Sequence, residues 1–430
     1  MEKSFFERAR TIALACAIWS LSLMPALAAQ HGANPEIQVA AAAQLQLPGL
    51  AGPAADWRQW DSFFTFIVKR FGQDVSGDLR NTLAEVFLDS RYELSDVVAR
   101  LQSGQNPVPE LFANGWRRLS PVINQAISAL PQQTQPQYRS FILAADQLAA
   151  TVGQPGSQLG LLQISPDVLR GMARLLDPGG GADPVDYSLG VDSGLRSLLG
   201  FGAPIAAPTP ATKQSWLPGL PFPLNVQRAS IGAALAALPD VKKLNEWVPE
   251  NDDLQPYLLA VRRLLATSSD KVAAASKLAE EHKALYRQIV FAAGWQESCW
   301  RQFIKKGKKL TPLASASGDL GLMQVNRNTW RNLYDPKLLG GDIGYNGSAG
   351  GEILEHYLSR YALRKNEHKQ PGGHLARATY AAYNGGPSHL TRYRAAKQNS
   401  QLKKVDDAFW DKFEAVSAGR ELDVQRCFGK

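Results

Sequence analysis

The sequence predicts a mainly α-helical chain built in two parts. Apolar residues recur at three- and four-residue spacing in Trp57, Trp60, Phe63, Phe64, Ile67, Val68 and Phe71, and again in Leu285, Ile289, Ala292 and Ala293. That is the period of a helix with one buried face. Asp56 before the first run, and Gly104 and Gly153 after later ones, are residue types that start and stop helices. Six prolines between Pro204 and Pro223 forbid a continuous helix there and divide the chain.

Taken in order, Lys3, Arg8 and Arg10 precede an apolar run from Thr11 to Leu23, and Pro25-Ala26-Leu27-Ala28 ends in a small-residue cleavage pattern. This is the anatomy of a secretory signal peptide over residues 1–28, the run being short for a membrane span. Residues 29–55, rich in Ala, Gln, Pro and Gly, read as a flexible leader. A helical N-terminal domain follows over 56–200. Its first helix is capped by Asp56, a second runs from about Ser76 to Leu88, and a third from Leu94 to Leu101. Then come Leu111 to Leu119, a helix opened by Pro121 over Val122–Leu130, and one from Tyr138 to Val152. The aromatic stripe of the first helix reads as core. Gly160-Leu161-Leu162-Gln163-Ile164 echoes Gly321-Leu322-Met323-Gln324-Val325, without the motifs that flank the latter. Residues 201–228 form a proline-rich connector, in which Trp216, Leu217 and Phe222 favour an arm packed on a neighbour. Residues 229–275 read as a helical linker region holding Ala229–Leu238 and Leu254–Ala266; Ser268-Ser269-Asp270 then caps a helix over Lys271–Val290. Residues 276–430 make the last domain.

Hydrophobic residues are 45% of the 430, ordinary for a globular protein with a sizeable core. The formal net charge of +8 and the pI of about 9.3 fit an anionic partner. Export would make nucleic acid a poor candidate and favour an acidic polymer outside the cytoplasm, with no integral membrane span left after cleavage. Cleavage would also remove Cys16 and leave Cys299 and Cys427, a candidate disulfide in an oxidising compartment. Two buried free thiols is the other reading.

The chemistry concentrates around Gln296-Glu297-Ser298-Cys299-Trp300. Glu297 falls near the end of the helix whose apolar face is Leu285, Ile289, Ala292 and Ala293. A carboxyl against apolar neighbours is poorly solvated, which favours its neutral form and suits a general acid near neutral pH. Three further segments follow: Ser315-Ala316-Ser317-Gly318-Asp319-Leu320-Gly321-Leu322-Met323-Gln324, Asn346-Gly347-Ser348-Ala349-Gly350, and Ala382-Tyr383-Asn384-Gly385-Gly386. In this order the four resemble the soluble lytic transglycosylase family, whose fold is related to goose-type lysozyme. The resemblance implies a lysozyme-like, predominantly helical α+β domain over the last part of the chain. It implies an enzyme without cofactors that cleaves the bond between N-acetylmuramic acid and N-acetylglucosamine in peptidoglycan. It also implies a periplasmic, cell-wall-associated location, with the glycan strands as partner. The N-terminal helical region would be free to engage envelope proteins.

By the same resemblance Glu297 first protonates the leaving oxygen. It then acts as base toward the muramic acid's own 6-hydroxyl, which closes on the anomeric carbon to give a 1,6-anhydro product. A muramidase that admits water, and a glycan-binding scaffold without catalysis, stay open as readings of the same groove. Ser315 and Ser317 match serines facing the reaction centre, though turn serines would look the same. Met323 and Gln324 match residues shaping the saccharide groove. Tyr383 matches a tyrosine whose hydroxyl reaches the catalytic carboxyl, with Asn384 in the same turn; Asn346 is expected to cap a helix. Asp319 stands where the family has Ala, and is a candidate second acid. The basic stretch Arg301–Lys309 lengthens the spacing from Glu297 to Ser315; it either grips anionic stem peptides or is a solvated loop. Glu352-Ile353-Leu354-Glu355-His356 resembles an inverted zinc-peptidase motif, but Glu352 stands where its first His must be, so no metal site is inferred.

Overall fold

The computed structural model describes residues 54–152, 164–207 and 241–429. The signal peptide, nearly all of the leader, the Gly160–Gln163 echo, the Trp216, Leu217 and Phe222 arm and the Ala229–Leu238 helix lie outside the described residues.

The described chain is mainly helical. Helix α1 (Trp57–Asp74) begins in a capping box: the Asp56 carboxylate accepts from the backbone N–H groups of Arg58 and Gln59, and the Gln59 side chain accepts from Asp56 N–H. Its stripe Trp60, Phe63, Phe64, Ile67, Val68 and Phe71 is buried. Helix α2 (Gly77–Arg100) is one helix where the sequence predicts two. The apolar pattern does lapse over Asp89–Glu93, but not because the helix ends. Arg91 is only 1% exposed, so the polar face of this stretch includes a side chain directed into the protein rather than into water. Helix α3 (Val108–Ile127) likewise merges two expected helices and holds Pro121 in its interior. Proline removes a helix hydrogen bond, yet Leu111, Phe112, Trp116, Leu119, Ile123 and Ile127 stay in phase across it and are all buried. Packing outweighs the local break. Helices α4 (Gln135–Val152), α5 (Pro166–Leu176) and α6 (Ser193–Leu199) complete an N-terminal layer in which α1 packs on α2, α3, α5 and α6.

After the short α7 (Val241–Leu244), α8 (Leu254–Ala275) runs straight through Ser268-Ser269-Asp270, so the expected cap is not a helix start. Ser269 is buried and its hydroxyl donates back to Leu265 O at 2.7 Å, satisfying it without breaking the helix. The chain breaks instead before α9 (Glu280–Ser298), which carries Glu297 in its last turn. Two small antiparallel hairpins follow, β1 (Phe303–Lys306) with β2 (Lys309–Pro312), and β3 (Asp319–Leu320) with β4 (Val325–Asn326). The basic stretch is therefore a hairpin rather than an open loop, and its Lys305 pairs with Glu250 at 2.5 Å. Then come α10 (Pro336–Gly341), α11 (Ile343–Tyr357), α12 (Leu375–Gly385) and α13 (Ser400–Ser417). Helix α9 packs against α8, α11, α12 and α13 and so lies at the centre of this half. The structure joins Cys299 to Cys427, with Cα atoms 6.1 Å apart, which ties the 3-10 segment Glu421–Phe428 to the end of α9.

The two halves are locked by a buried ionic triad. The Asp61 carboxylate on α1 lies 2.5 Å from the Nε of Arg91 on α2 and 2.5 Å from that of Arg331 in the C-terminal half. All three side chains are at most 3% exposed. Arg91 also donates to the carbonyls of Asn328 (3.1 Å) and Arg331 (3.2 Å). Burial is strong enough to push the Arg91 guanidinium down to about 10. No helix among the described residues is long and apolar enough to cross a membrane.

Candidate functional site

Helix α9 stops abruptly. Cys299 and Trp300 take φ of +54° and +59°, a left-handed conformation costing an L residue on the order of 1–2 kcal/mol. The surroundings hold it: Trp300 is fully buried and its indole N–H donates to Phe291 O at 3.0 Å. The Ser298 hydroxyl donates to Leu322 O at 2.6 Å and accepts from Arg301 N–H at 3.1 Å. This fixes the turn bearing Glu297 against the Gly321–Gln324 turn between β3 and β4.

That turn is hung from its neighbours by buried amides. Gln302 accepts from Leu322 N–H (2.8 Å) and donates to the carbonyls of Leu339 and Gly340, both at 3.0 Å. Gly321, at φ +70°, leaves the space for it, since a Cβ there would lie 2.3 Å from Gln302 Oε1. Asn346 does not cap a helix. It sits fully buried inside α11, accepting from Met323 N–H at 2.8 Å and donating to Leu320 O (2.7 Å) and Leu339 O (2.9 Å). The cap of α11 is Asp342, which accepts from Tyr345 N–H. Gly350 one turn later lets Met323 seat, a Cβ there falling 2.4 Å from Met323 Cβ. The Asn-x-x-Ala-Gly segment therefore supports the turn from beneath.

Glu297 is partly buried, and desolvation raises its carboxyl to about 7, with the nearby Asp319 adding to the rise. The tyrosine that touches it is Tyr380, whose hydroxyl donates to Glu297 Oε1 at 2.8 Å. Burial holds Tyr380 well above the usual tyrosine range, so it remains a donor. Tyr383 was expected in that place, but its hydroxyl donates instead to Met323 O at 2.5 Å. The two lie three residues apart on one face of α12, and the spacing that admits Tyr383 admits Tyr380 equally. Asn384 accepts from Arg392 at 2.8 Å, and Arg392 is in turn paired with buried Asp406.

These groups open on a cleft of about 550 Å³. Glu297, Ser317, Asp319, Gln324, Tyr383 and Asn384 line it; Ser315 and Met323 do not. Met323 is fully buried in support of the floor. Ser315 is exposed and, with Ser317, donates to Asp319 Oδ2 at 2.5 and 2.6 Å, while Asn326 donates to Asp319 Oδ1 at 2.8 Å. The serines thus orient a carboxylate on the cleft wall. A further part of the lining comes from α2, which no motif in the sequence marks. His356 lies apart from the cleft, stacked on Phe201, and Glu352 is paired with Arg196 and Tyr334.

Tyr380→Phe tests the contact to Glu297. The hydroxyl stabilises the ionised carboxylate, so its loss lets the Glu297 pKa rise further. The alkaline limb of any activity profile is expected to move to higher pH, with turnover down roughly tenfold, less than loss of an acid itself costs. A merely structural role would lower the melting temperature and leave the limb in place.

Residues 275–405 match the family described as Transglycosylase SLT domain, whose transglycosylases lyse peptidoglycan. The match covers less than half of the chain and leaves α1–α6 outside it. Among curated proteins and among solved structures, nothing matches the chain.

Proposed function

We propose that the chain bearing this SLT domain is a peptidoglycan lytic transglycosylase with Glu297 as its single acid and base. Glu297 gives its proton to the oxygen leaving the anomeric carbon of N-acetylmuramic acid, and the glycosidic bond breaks. The carboxylate then takes the proton of that sugar's 6-hydroxyl as its oxygen bonds to the anomeric carbon, giving the 1,6-anhydro end with no water consumed. One observation carries this reading: a carboxyl held near pKa 7 by burial, with a tyrosine donor fixing one oxygen. It is protonated in a useful fraction at neutral pH, as a general acid must be. Met323 and Ser298 act through the floor and α9 rather than on the sugar; Ser317, Gln324 and Asn384 are placed to meet it. Residues 1–28 would export the chain to the periplasm.

One observation favours a second reading. Asp319 accepts hydrogen bonds from Ser315, Ser317 and Asn326 on the same cleft wall. A carboxylate fixed in that way can take a proton from a water attacking the anomeric carbon, which would make the enzyme a muramidase. Mass spectrometry of muropeptides released from purified sacculi decides between them. Products lighter by one water than their reducing-end counterparts are expected, and Asp319→Ala is expected to leave that ratio unchanged. A predominance of reducing ends, lost in Asp319→Ala, establishes the hydrolytic reading instead.

A further inference from the structure

The cleft has a wall that the family match does not reach. Asp89, Tyr92, Glu93, Asp96 and Arg100 of α2 line the same cavity as Glu297, though all five lie outside residues 275–405. Steps of three and four place them in one stripe along one face of the helix. The stripe is held rigidly. Beside it Arg91 enters the buried triad, and the Ser95 hydroxyl bonds Asn326 Oδ1 at 3.1 Å. Tyr92 donates to Tyr383 O at 2.7 Å, and Ser388 N–H donates to Asp89 at 3.0 Å. Helix α2 is thus bonded directly to Tyr383 of α12 and to the turn at Ser388 that follows it.

Within the stripe three members are committed to protein and two are not. Asp89 and Tyr92 are bonded as above, and Glu93 accepts from Asn114 at 2.5 Å and pairs with Arg118. Among the described residues the Asp96 carboxylate has no hydrogen-bond partner. Among the described residues the Arg100 guanidinium donates to the Asp96 carbonyl alone, at 3.1 Å. A free acceptor and a largely free donor, one helical turn apart, face a cavity whose floor holds Glu297. We propose that Asp96 and Arg100 hold a saccharide unit of the glycan strand against the N-terminal wall. Asp96 accepts from sugar hydroxyls or the acetamido N–H, and Arg100 donates to acetamido, hydroxyl or lactyl oxygens. The proposal rests on the glycan-strand substrate of the proposed function, not on its cleavage, and adds that both halves of the chain share the saccharide site.

The test is calorimetric titration of a peptide-free tetrasaccharide of alternating N-acetylglucosamine and N-acetylmuramic acid into the full-length Glu297→Gln protein. Asp96→Ala and Arg100→Ala in that background are each expected to weaken binding about tenfold, the range of one charge-assisted hydrogen bond. Arg100→Lys should recover part of the loss. In the active chain the same substitutions raise KM and leave kcat nearly unchanged, as loss of uniform binding does. Thr82→Ala, earlier on α2 with its hydroxyl on Asp78 O, should bind as the parent does. Unchanged affinity in both alanine variants overturns the proposal, as does failure of the Glu297→Gln protein to bind the tetrasaccharide. If the native chain releases no glycan fragments while Asp96→Ala still weakens binding, the cleavage reading falls and this one stands.

Discussion

Glu297→Gln is expected to remove glycan cleavage, by about 10²–10⁴-fold or more, because the amide keeps the shape of the side chain but has no proton to deliver. Release of soluble fragments from sacculi measures it, and near-native turnover would take Glu297 out of the mechanism. The same substitution has a second consequence in stability. Folding raises the Glu297 carboxyl from 4.5 to about 7, so the folded state favours its proton. The contribution is fully present below pH 4.5 and is lost as pH rises through about 7. Above that, the native chain carries the cost of an ionised carboxylate in a poorly solvated place, up to roughly 3 kcal/mol for a shift of this size. Glutamine cannot ionise. The variant should therefore gain stability relative to the native chain between pH 5 and pH 8, seen in urea melts at both values. Parallel pH dependence of the two proteins would show that Glu297 titrates normally. Activity of the native chain should fall above about pH 7 for the same reason.

Asp61→Ala is expected to be among the most damaging single changes for stability. It leaves two buried guanidinium groups, Arg91 and Arg331, facing each other without the carboxylate that separates them. Breaking a buried ion pair from one side costs about 3–5 kcal/mol, because the remaining charge is neither solvated nor paired. The damage should also reach function, since Arg91 seats the cleft-lining helix α2 on the carbonyls of Asn328 and Arg331. Replacing all three residues with apolar side chains of similar size should cost far less, as the desolvation penalty disappears with the charges. Denaturant midpoints of the single and triple variants make the comparison. A single variant within about 1 kcal/mol of native stability, a surface-like effect, would mean that water reaches the triad.

What was legible in the sequence was what is decided locally or by motif. The first helix follows from its own stripe and its own cap at Asp56. The place of Glu297 at the end of a helix follows from the apolar face of α9. Two of the misreadings share a cause, a partner that lies far away in the chain; the serine cap is a local ambiguity. Asp89–Glu93 looked like the end of a helix because nothing nearby explains a buried arginine; its partners are Asp61 and the 328–331 carbonyls. Ser268-Ser269 looked like a cap because a back-bonded buried serine has the same local signature. Tyr383 was preferred to Tyr380 because the motif names it, whereas the hydrogen bond depends on how α12 rotates against α9. The α2 wall carries no motif, and only the packing of the two halves brings it to the cleft.

The bridge from Cys299 to Cys427 spans 128 residues, and this bears on when the site is completed as the chain is made. By the time α9 has been synthesised, Glu297 and the α2 wall already exist. The thiol that pins the turn at Cys299 and Trp300 arrives only with the 3-10 segment Glu421–Phe428. Until then the turn has no covalent tie, and α9 also lacks α13, against which it packs. A chain cut before residue 427 carries every segment of the family resemblance and lacks the tie at the end of α9. The covalent tie at the end of α9 thus depends on a thiol 128 residues downstream of Cys299.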